Sequence, residues 1–336
     1  MRRLSLSLSA LLASSLLLAG CGGSDSSSST APSPTEGTKV STPDQPQTWP
    51  LTGLTVPNGK SPQLTHPVLV TKMDNTSSSA PQMGLSHADM VVEELVEGGL
   101  TRLAAFFYSD IPPVAGPVRS MRASDIDIVS PVHASMVTSG AAGKTIARIK
   151  GAGIPFYGES TKGFYRDNGR VSPYNLLVKL KELAASVKKK AATVPDYFSF
   201  GSGKDVPKGA KATSISAQFS GGHTTQWKYA GGRYTNVNSN APQNDQFPAS
   251  SVLVLRVKEG DAGYLDPAGN HVPETLFTGQ GKMWLFHQGQ VVQGFWHKAK
   301  AGDKVTLTAK GKDLKVPAGH TWVELVPIAG HVGFTK

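Results

Sequence analysis

The only cysteine of this 336-residue chain is Cys21, and it stands at the end of a hydrophobic leader. Arg2 and Arg3 precede an uncharged run of Leu, Ser and Ala from Leu4 to Ala19. That run is shorter than the roughly 20 apolar residues that cross a bilayer, so it is typical of an export signal peptide over residues 1–20. A single cysteine also excludes an internal disulfide, a Cys-rich zinc site and a CxxC redox pair.

The leader ends in Leu18-Ala19-Gly20-Cys21, which is similar to the lipobox, where a cysteine thiol accepts a diacylglycerol. We therefore predict lipidation of Cys21, and a membrane anchor on the extracytoplasmic side of the cell membrane. From Gly22 to Thr48, 19 of 27 residues are Ser, Thr, Pro or Gly, a composition that cannot form a core. Residues 21–61 are interpreted as the lipidated cysteine and a disordered tether. A secretory signal without lipid and a structural Cys21 are the alternatives.

The charge of the chain indicates the class of partner. Lys and Arg number 34 and Asp and Glu 24, which gives +10; removal of Arg2 and Arg3 with the leader leaves +8. For an exported protein this charge suits an anionic cell-wall polymer, a lipid head group or an envelope protein as partner, and it does not indicate nucleic acid.

Residues 62–200 are predicted to form a mixed α/β domain. Pro67 to Met73 is a short apolar run typical of a buried strand. Two further β-rich runs, residues 88–97 and 100–108, surround Gly98-Gly99, which predicts a hairpin with a two-residue turn.

That turn fixes an expected register for the hairpin. Glu97 faces Leu100, Leu95 faces Arg102 and Glu94 faces Leu103. Alternation then places Glu94 on the apolar face with Val92, Val96, Leu103 and Phe107, while Glu93, Glu97 and Arg102 share the other face. A carboxylate on an apolar face must be paired or protonated, so Glu94 is the exceptional residue of the hairpin.

Two helices are expected in the same domain. Residues 115–129 indicate a turn and a helix ending before Pro131, with Arg119 and Arg122 on one side of its start. Ser172 and Pro173 resemble a helix start, and apolar residues then recur at helical spacing to Val187. Lys188–Lys190 would complement the dipole at that helix end.

After a Gly- and Lys-rich linker, residues 201–211, the sequence becomes mainly β through residues 212–336. Trp284 and Phe286 are expected to pair across a Gln288-Gly289 turn with Gln293 and Val291. Sheet packing is the expected role of the tryptophans, and stacking on sugar rings is the alternative. The whole chain is thus predicted to be an α+β protein, with a mixed domain followed by a mainly β domain.

Several motifs resemble those of the YerB-like bacterial lipoproteins, a family whose two domains have no known function. The residues are Met83–Asp89, Glu97–Arg102, Gly116–Arg122, Arg166-Asp167, Arg170, Pro173–Leu176, Gly294–Lys298 and Pro317–Val323. The resemblance covers nearly everything beyond the tether. It implies an exported location and a two-domain layout, and it implies no reaction.

Known catalytic motifs are absent from the sequence. HExxH, GxSxG, SxxK and the dinucleotide fingerprint do not occur, and the stretch from Gly140 to Thr145 lacks the first glycine of a P-loop. The nine histidines show no i, i+4 pair on a helix. We therefore expect no cofactor and no metal.

A polar constellation remains as the candidate ligand site. Its residues are Asp74, Asn75, Glu94, Glu97, Arg102, Arg119 and Arg122, with Arg166 and Asn175 from the end of the same domain. Arginines bind carboxylate or phosphate bidentately, so the set forms either an internal ion network or a pocket for an anionic group. The two functional hypotheses are a non-enzymatic envelope binding protein and a wall-modifying hydrolase that uses Glu94 with Asp74 for acid/base chemistry.

Overall fold

A computed structural model describes residues 47–57, 64–187 and 193–336. The signal peptide, Cys21, residues 22–46 and 58–61 of the predicted tether, and Lys188–Lys190 lie outside these residues. Residues 47–57, expected to belong to the disordered tether, are described, and Leu51 and Val56 are buried. Among the described residues, no helix is both long enough and apolar enough to cross a bilayer.

The first half of the described chain alternates short strands and short helices. They are β1 Leu69–Asp74, β2 Met90–Leu95, β3 Thr101–Phe107, α1 Asp125–Val129, β4 Ser135–Val137, α2 Gly143–Gly151, β5 Phe156–Tyr157, β6 Phe164–Arg166, β7 Leu176–Val178 and α3 Leu180–Ser186. Short 3-10 turns join several of them, including Glu97–Gly99 and Ser130–Val132.

The second half is built from strands. They are β8 Phe200–Gly201, β9 Ala210–Lys211, β10 Ser214–Gln218, β11 Thr224–Ala230, β12 Arg233–Asn236, β13 Ser251–Leu265, β14 His271–Leu276, β15 Gly279–His287, β16 Gln290–Lys298, β17 Thr306–Ala309, β18 Lys312–Leu314, β19 Val316–Pro317, β20 Thr321–Pro327 and β21 His331–Thr335. The prediction of an α+β protein with a mainly β second half is confirmed.

One main sheet runs through both halves. Its order is β18-β17-β16-β15-β13-β20-β2-β3-β1-β4-β5, with β14 also on β13 and β9 on β16. Strand β20 lies between β13 and β2 and pairs with both in parallel. A smaller sheet has the order β12-β11-β10-β21, and two-stranded pairs join β8 to β19 and β6 to β7. The division into two domains at residues 201–211 stays a prediction. Strand β2 of the first half and strand β20 of the second half pair in the same sheet.

Both faces of the main sheet are covered by apolar layers. On one face, Val92 and Phe106 pack with Ile128 of α1 and Ile149 of α2. On the other, Val91 and Phe107 belong to a layer that includes Leu183 of α3 and Trp227 of the small sheet. A strand between two such layers is apolar at consecutive positions, as in the Met90-Val91-Val92 start of β2.

The register of the β2–β3 hairpin differs from the prediction by one residue. Glu94 pairs with Arg102, Leu95 with Thr101 and Glu93 with Leu103. The reason is a three-residue turn: Gly98 and Gly99 both have φ 70°, and the Val96 amide donates to the Leu100 carbonyl. The predicted faces were therefore wrong, because Arg102 lies on the face of Glu94, while Leu103 and Phe107 lie on the face of Glu93.

The two predicted helices are shorter than expected. Helix α1 begins only at Asp125, so Arg119 and Arg122 lie in the irregular segment before it and not on the helix. Leu176–Val178 is a strand, and the second helix starts at Leu180. Pairing of Leu176 with Arg166 overrode the helical spacing of the leucines.

The predicted pairing in the second half is confirmed. Trp284 pairs with Gln293 and Phe286 with Val291 across the turn at Gln288-Gly289. Trp227, Trp296 and Trp322 are all buried, which is the packing role expected of tryptophans in strands.

Candidate functional site

Three neighbouring strands place candidate residues in one row. Asp74 of β1 pairs with Arg102 of β3, and Arg102 pairs with Glu94 of β2. Residues in register on adjacent antiparallel strands share a face, so all three point to the α1 side of the sheet. The row lies at the end of the hairpin, where the turn carrying Glu97 meets the segment 119–122.

Glu94 is fully buried and is held by a lysine rather than by an arginine. Lys72 forms ion pairs with both Glu94 and Asp125, and its Nζ lies 2.8 Å from Asp125 Oδ1. Ser124 donates a hydrogen bond to the second Glu94 oxygen. Burial raises the pKa of Glu94, and the Asp125 charge adds to this, while the Lys72 charge opposes it. Two carboxyls thus share one cation in a closed core site.

Glu97 binds two guanidinium groups at once. Arg122 donates from Nε to Glu97 Oε2 at 2.9 Å and also bonds Oε1, and Arg102 Nη2 lies 3.0 Å from Oε1. Both arginines also donate to the Ser120 carbonyl. Partial burial opposes ionisation, but the Arg122 hydrogen bond and the Arg102 charge hold the pKa of Glu97 below its ordinary value. These contacts fasten the 119–122 segment to the hairpin turn.

Arg102 and Arg122 carry more positive charge than Glu97 neutralises. Burial, followed by the neighbouring Arg122 charge, lowers the pKa of Arg102 to about 10, so the group stays protonated at neutral pH. Arg122 is buried, and its Nη1 donates to the carbonyls of Met121 and Ser120. Its guanidinium is therefore engaged within the protein.

Arg119 is the most open of the three arginines. Its side chain is 21% exposed, and its Nε lies 3.0 Å from Asp74 Oδ2, near enough for an ion pair although poorly aligned for a hydrogen bond. The guanidinium carbon lies 5.2 Å from the centre of the Tyr174 ring, a cation–π contact. The only hydrogen bond of the Arg119 side chain within the described residues is a long one, 3.4 Å, from Nη1 to the Pro173 carbonyl.

Arg166 and Asn175 bond each other beside Arg119. Arg166 Nη1 donates to Asn175 Oδ1 at 2.7 Å, and its other nitrogens donate to Glu159 at 2.6 and 3.2 Å. Asn175 follows Tyr174 directly in the chain, so the Arg119 stack and this pair adjoin. The structure therefore brings these two predicted residues next to the main constellation.

Asn75 belongs to a different network on the opposite face of the sheet. Its Nδ2 donates to Glu93 Oε1 at 3.0 Å and to Thr101 Oγ1 at 2.9 Å. His223 Nε2 lies 2.8 Å from the same Glu93 oxygen. Glu324 of β20 is in register with Glu93 and accepts a hydrogen bond from Trp227 Nε1 at 2.7 Å.

Sequence reasoning missed Glu93, Glu324 and His223. The expected register put Glu93 with Glu97 and Arg102 on the face opposite the apolar one, whereas it is fully buried beneath a second apolar layer. The available signal was the apolar character of both faces of β2, which indicates a strand covered on both sides. Nothing in the local sequence linked Glu93 to Glu324, because 231 positions separate them, from 93 to 324.

Within the constellation, Glu94 is closed to solvent and Arg119 is open to it. Both Glu94 oxygens are occupied and the side chain is inaccessible, whereas Arg119 presents a cation at the surface. No group of three or more His, Cys, Asp or Glu suited to a metal occurs within the described ranges.

Two family models match successive parts of this chain. Residues 51–193 match the family model "Protein of unknown function (DUF3048) N-terminal domain", and residues 215–323 match the corresponding C-terminal domain. A relative from Bacillus subtilis (strain 168), described as "Putative lipoprotein YerB", is 26% identical over 293 residues, which is 83% of this chain and 86% of the relative. The crystal structure of the YerB protein from Bacillus subtilis has a TM-score of 0.70 at 21% identity, and covers 86% of this chain and 99% of that one.

Proposed function

This chain belongs to the DUF3048 family, whose function is unknown. We propose that it is a non-enzymatic, lipid-anchored extracytoplasmic protein that binds an anionic group of the cell envelope. The observation that carries the proposal is the Arg119 guanidinium, which is stacked on Tyr174 at the surface and only partly satisfied by Asp74. Such a group binds a phosphate or carboxylate through charge-assisted hydrogen bonds.

The other residues of the constellation hold Arg119 in place and are not themselves proposed to contact the ligand. Arg102, Arg122 and Glu97 tie the 119–122 segment to the hairpin, and Asp74 orients the Arg119 side chain. Arg166 and Asn175 form the neighbouring wall; the Arg166 side chain is exposed, but its three nitrogens are bound to Glu159 and Asn175. The proposed contact residue is thus Arg119, and Arg166 and Asn175 line the site beside it.

Two observations support the location. The leader ends at Cys21 in a sequence similar to a lipobox, and the Bacillus subtilis relative carries the word lipoprotein in its description. In this proposal a diacylglyceryl group on Cys21 holds the protein at the membrane and the tether lets it reach an anionic polymer or head group. Cys21→Ala is expected to move the protein from the membrane fraction to the soluble fraction; retention of the variant in the membrane would contradict the anchor.

A hydrolase that uses Glu94 is not favoured by the geometry. General acid/base catalysis requires the carboxyl to reach the substrate, and Glu94 is enclosed by Lys72, Ser124 and the core. The other carboxylate of the row, Asp74, is engaged by Arg119 and by the amide of Thr76.

The binding proposal is tested with a soluble glycerol-phosphate oligomer and Arg119→Gln. Because a hydrogen bond to a charged group contributes about 1.5–3 kcal/mol, we expect at least about a tenfold rise in Kd by calorimetry. Arg148→Gln is the matched control, since Arg148 is also exposed but pairs with Glu274 on another part of the surface. Equal binding by wild type and Arg119→Gln, or an equal loss in Arg148→Gln, would overturn the proposal. Vesicles with and without an anionic phospholipid separate a lipid head group from a wall polymer.

A further inference from the structure

A second surface, on the second half of the chain, combines an exposed aromatic ring with unpaired cations. In the main sheet, Phe295 of β16 is in register with Lys282 of β15 and with Thr308 of β17. Trp284 and Gln293 form the next row on the same face. These five residues are called the Phe295 face.

The aromatic groups of this face are open to solvent. Phe295 is 59% exposed, although an aromatic side chain in a sheet is ordinarily packed. Trp284 is part-buried at the edge of the apolar layer, and within the described chain its indole N–H makes no hydrogen bond. Trp284 and Phe295 are diagonal neighbours, roughly 7–8 Å apart in such a pair, so one flat ligand can contact both.

Polar groups surround the two rings. Gln293 and Lys282 are exposed, and Thr308 is part-exposed. An amide, a hydroxyl and an ammonium beside two ring faces are the groups that bind the hydroxyls and the C–H face of a sugar ring.

The charge of the Phe295 face indicates whether a neutral or an acidic sugar fits it better. Neither Lys282 nor Arg256 forms an ion pair within the described residues. Arg256 lies on the same side as Val254, which pairs with Trp284, and its guanidinium is held by the carbonyls of Ile328 and Gly330. Asp313, in register with Thr308, is the carboxylate at the far end of the row. The side near Trp284 and Phe295 is therefore cationic.

We infer that the Phe295 face binds an acidic glycan, with a sugar ring stacked on Phe295 and Trp284 and its carboxylate near Lys282 and Arg256. The cationic rim beside the aromatic pair is complementary to sugars that carry a carboxylate and disfavours a bare apolar partner. This site is independent of Arg119, because the two share no residue.

The test uses an oligouronate of six sugars as the probe and a neutral glucan hexamer as the comparison. Wild type is expected to bind the oligouronate and to bind the neutral hexamer more weakly. Phe295→Ala should raise Kd by about tenfold, and Lys282→Gln should raise it about threefold at low salt with little effect on the neutral hexamer. Binding should also change the tryptophan fluorescence of wild type, and Trp284→Phe should reduce that change.

Val237→Ala is the matched control, because Val237 is 61% exposed directly after β12 and is not one of the five residues of the face. It should bind as wild type does, and Arg119→Gln should also leave oligouronate binding intact. Absence of oligouronate binding in wild type, or equal affinity in wild type and Phe295→Ala, would overturn the inference. Loss of binding in Val237→Ala would also overturn it, since the loss would then not be specific to the face.

Discussion

Glu93 and Glu324 lie side by side on the parallel strands β2 and β20, and neither side chain is accessible to solvent. Burial, and then the negative charge of Glu93, raise the pKa of Glu324 well above its ordinary value. Two adjacent carboxyls cannot both be charged in a dry core, so Glu324 is the protonated partner. Trp227 fixes its Oε1 by hydrogen bonding.

This pair predicts the effect of Glu324→Gln. A pKa raised on folding means that the native state holds a proton that the unfolded chain has released above pH 4.5, so wild-type stability falls as pH rises through that range. The amide imitates the protonated acid and has no such proton to lose. We expect urea midpoints close to wild type at pH 4.5 and higher than wild type at pH 8.

Exposed Glu259→Gln is the control for that substitution, and it should shift the urea midpoint at neither pH. If Glu324→Gln lowers the midpoint at pH 8, Glu324 is the ionised partner and the assignment is wrong.

The His223–Glu93 pair also makes the free energy of unfolding depend on pH, and the two pKa shifts give the sign of that dependence. Burial opposes protonation, but the hydrogen bond to Glu93 raises the pKa of His223, while the same pair holds the pKa of Glu93 below its ordinary value. The histidine contribution is complete below pH 6.5 and is lost as pH rises through the raised value. The glutamate contribution is complete above pH 4.5 and is lost as pH falls through the lowered value.

The His223–Glu93 pair therefore stabilises the protein most between pH 4.5 and pH 6.5. His223→Gln should cost about 1.5–3 kcal/mol at pH 5.5, the contribution of a hydrogen bond to a charged group, and less at pH 8.5. Urea unfolding at the two pH values measures it. A cost that is equal at both would mean that His223 is neutral throughout.

The hairpin shows how far sequence patterns determine this site. Gly98-Gly99 correctly predicted a turn between two strands, yet the turn type depends on the φ of both glycines. One extra turn residue moved every β3 side chain to the opposite face relative to β2. Glu94 was correctly identified as a buried carboxylate that needs a partner. Its partner is Lys72, from a strand whose apolar sequence did not suggest an ion pair.

Arginine pairing was less predictable, because it depends on contacts between elements distant in sequence. Arg119 and Arg122 were grouped by spacing, but in the irregular segment before α1 one pairs with Asp74 and the other with Glu97. Leu176–Val178 was expected to be helical because local spacing favours a helix, whereas pairing with β6 makes it a strand. Local patterns could not resolve either outcome.

Lys72→Met tests the buried cation. The substitution leaves Glu94 and Asp125 in the core without their shared counter-ion, which costs about 3–5 kcal/mol when one partner of a buried pair is removed. The double variant Lys72→Met/Glu94→Gln removes one of the two carboxylates and should recover part of the loss. Urea unfolding at pH 7 gives both values.

Lys228→Met, at an exposed position of the small sheet, is the control and should change the free energy of unfolding little. If the double variant is as unstable as Lys72→Met, or worse, the Lys72–Glu94 interaction is not what the lysine supplies.

Limited proteolysis tests the boundary between the two halves of the chain. Lys204 and Lys208 are exposed in the stretch 201–211, where the backbone has only two-residue strands and one 3-10 turn. We expect an early tryptic cut there. The fragments should nevertheless stay together in size-exclusion chromatography, because β2 pairs with β20 over five positions and the buried Glu93–Glu324 contact lies within that pairing.

Denaturing gels and intact mass identify the cut, and the native elution volume shows whether the fragments remain associated. Early cleavage at Arg256, inside residues 252–257, would refute the boundary, since that segment pairs with neighbours on both sides in the main sheet. Fragments that separate after a cut at Lys204 or Lys208 would show that each half folds alone. In that case the shared sheet contributes less free energy than the cores of the two halves do.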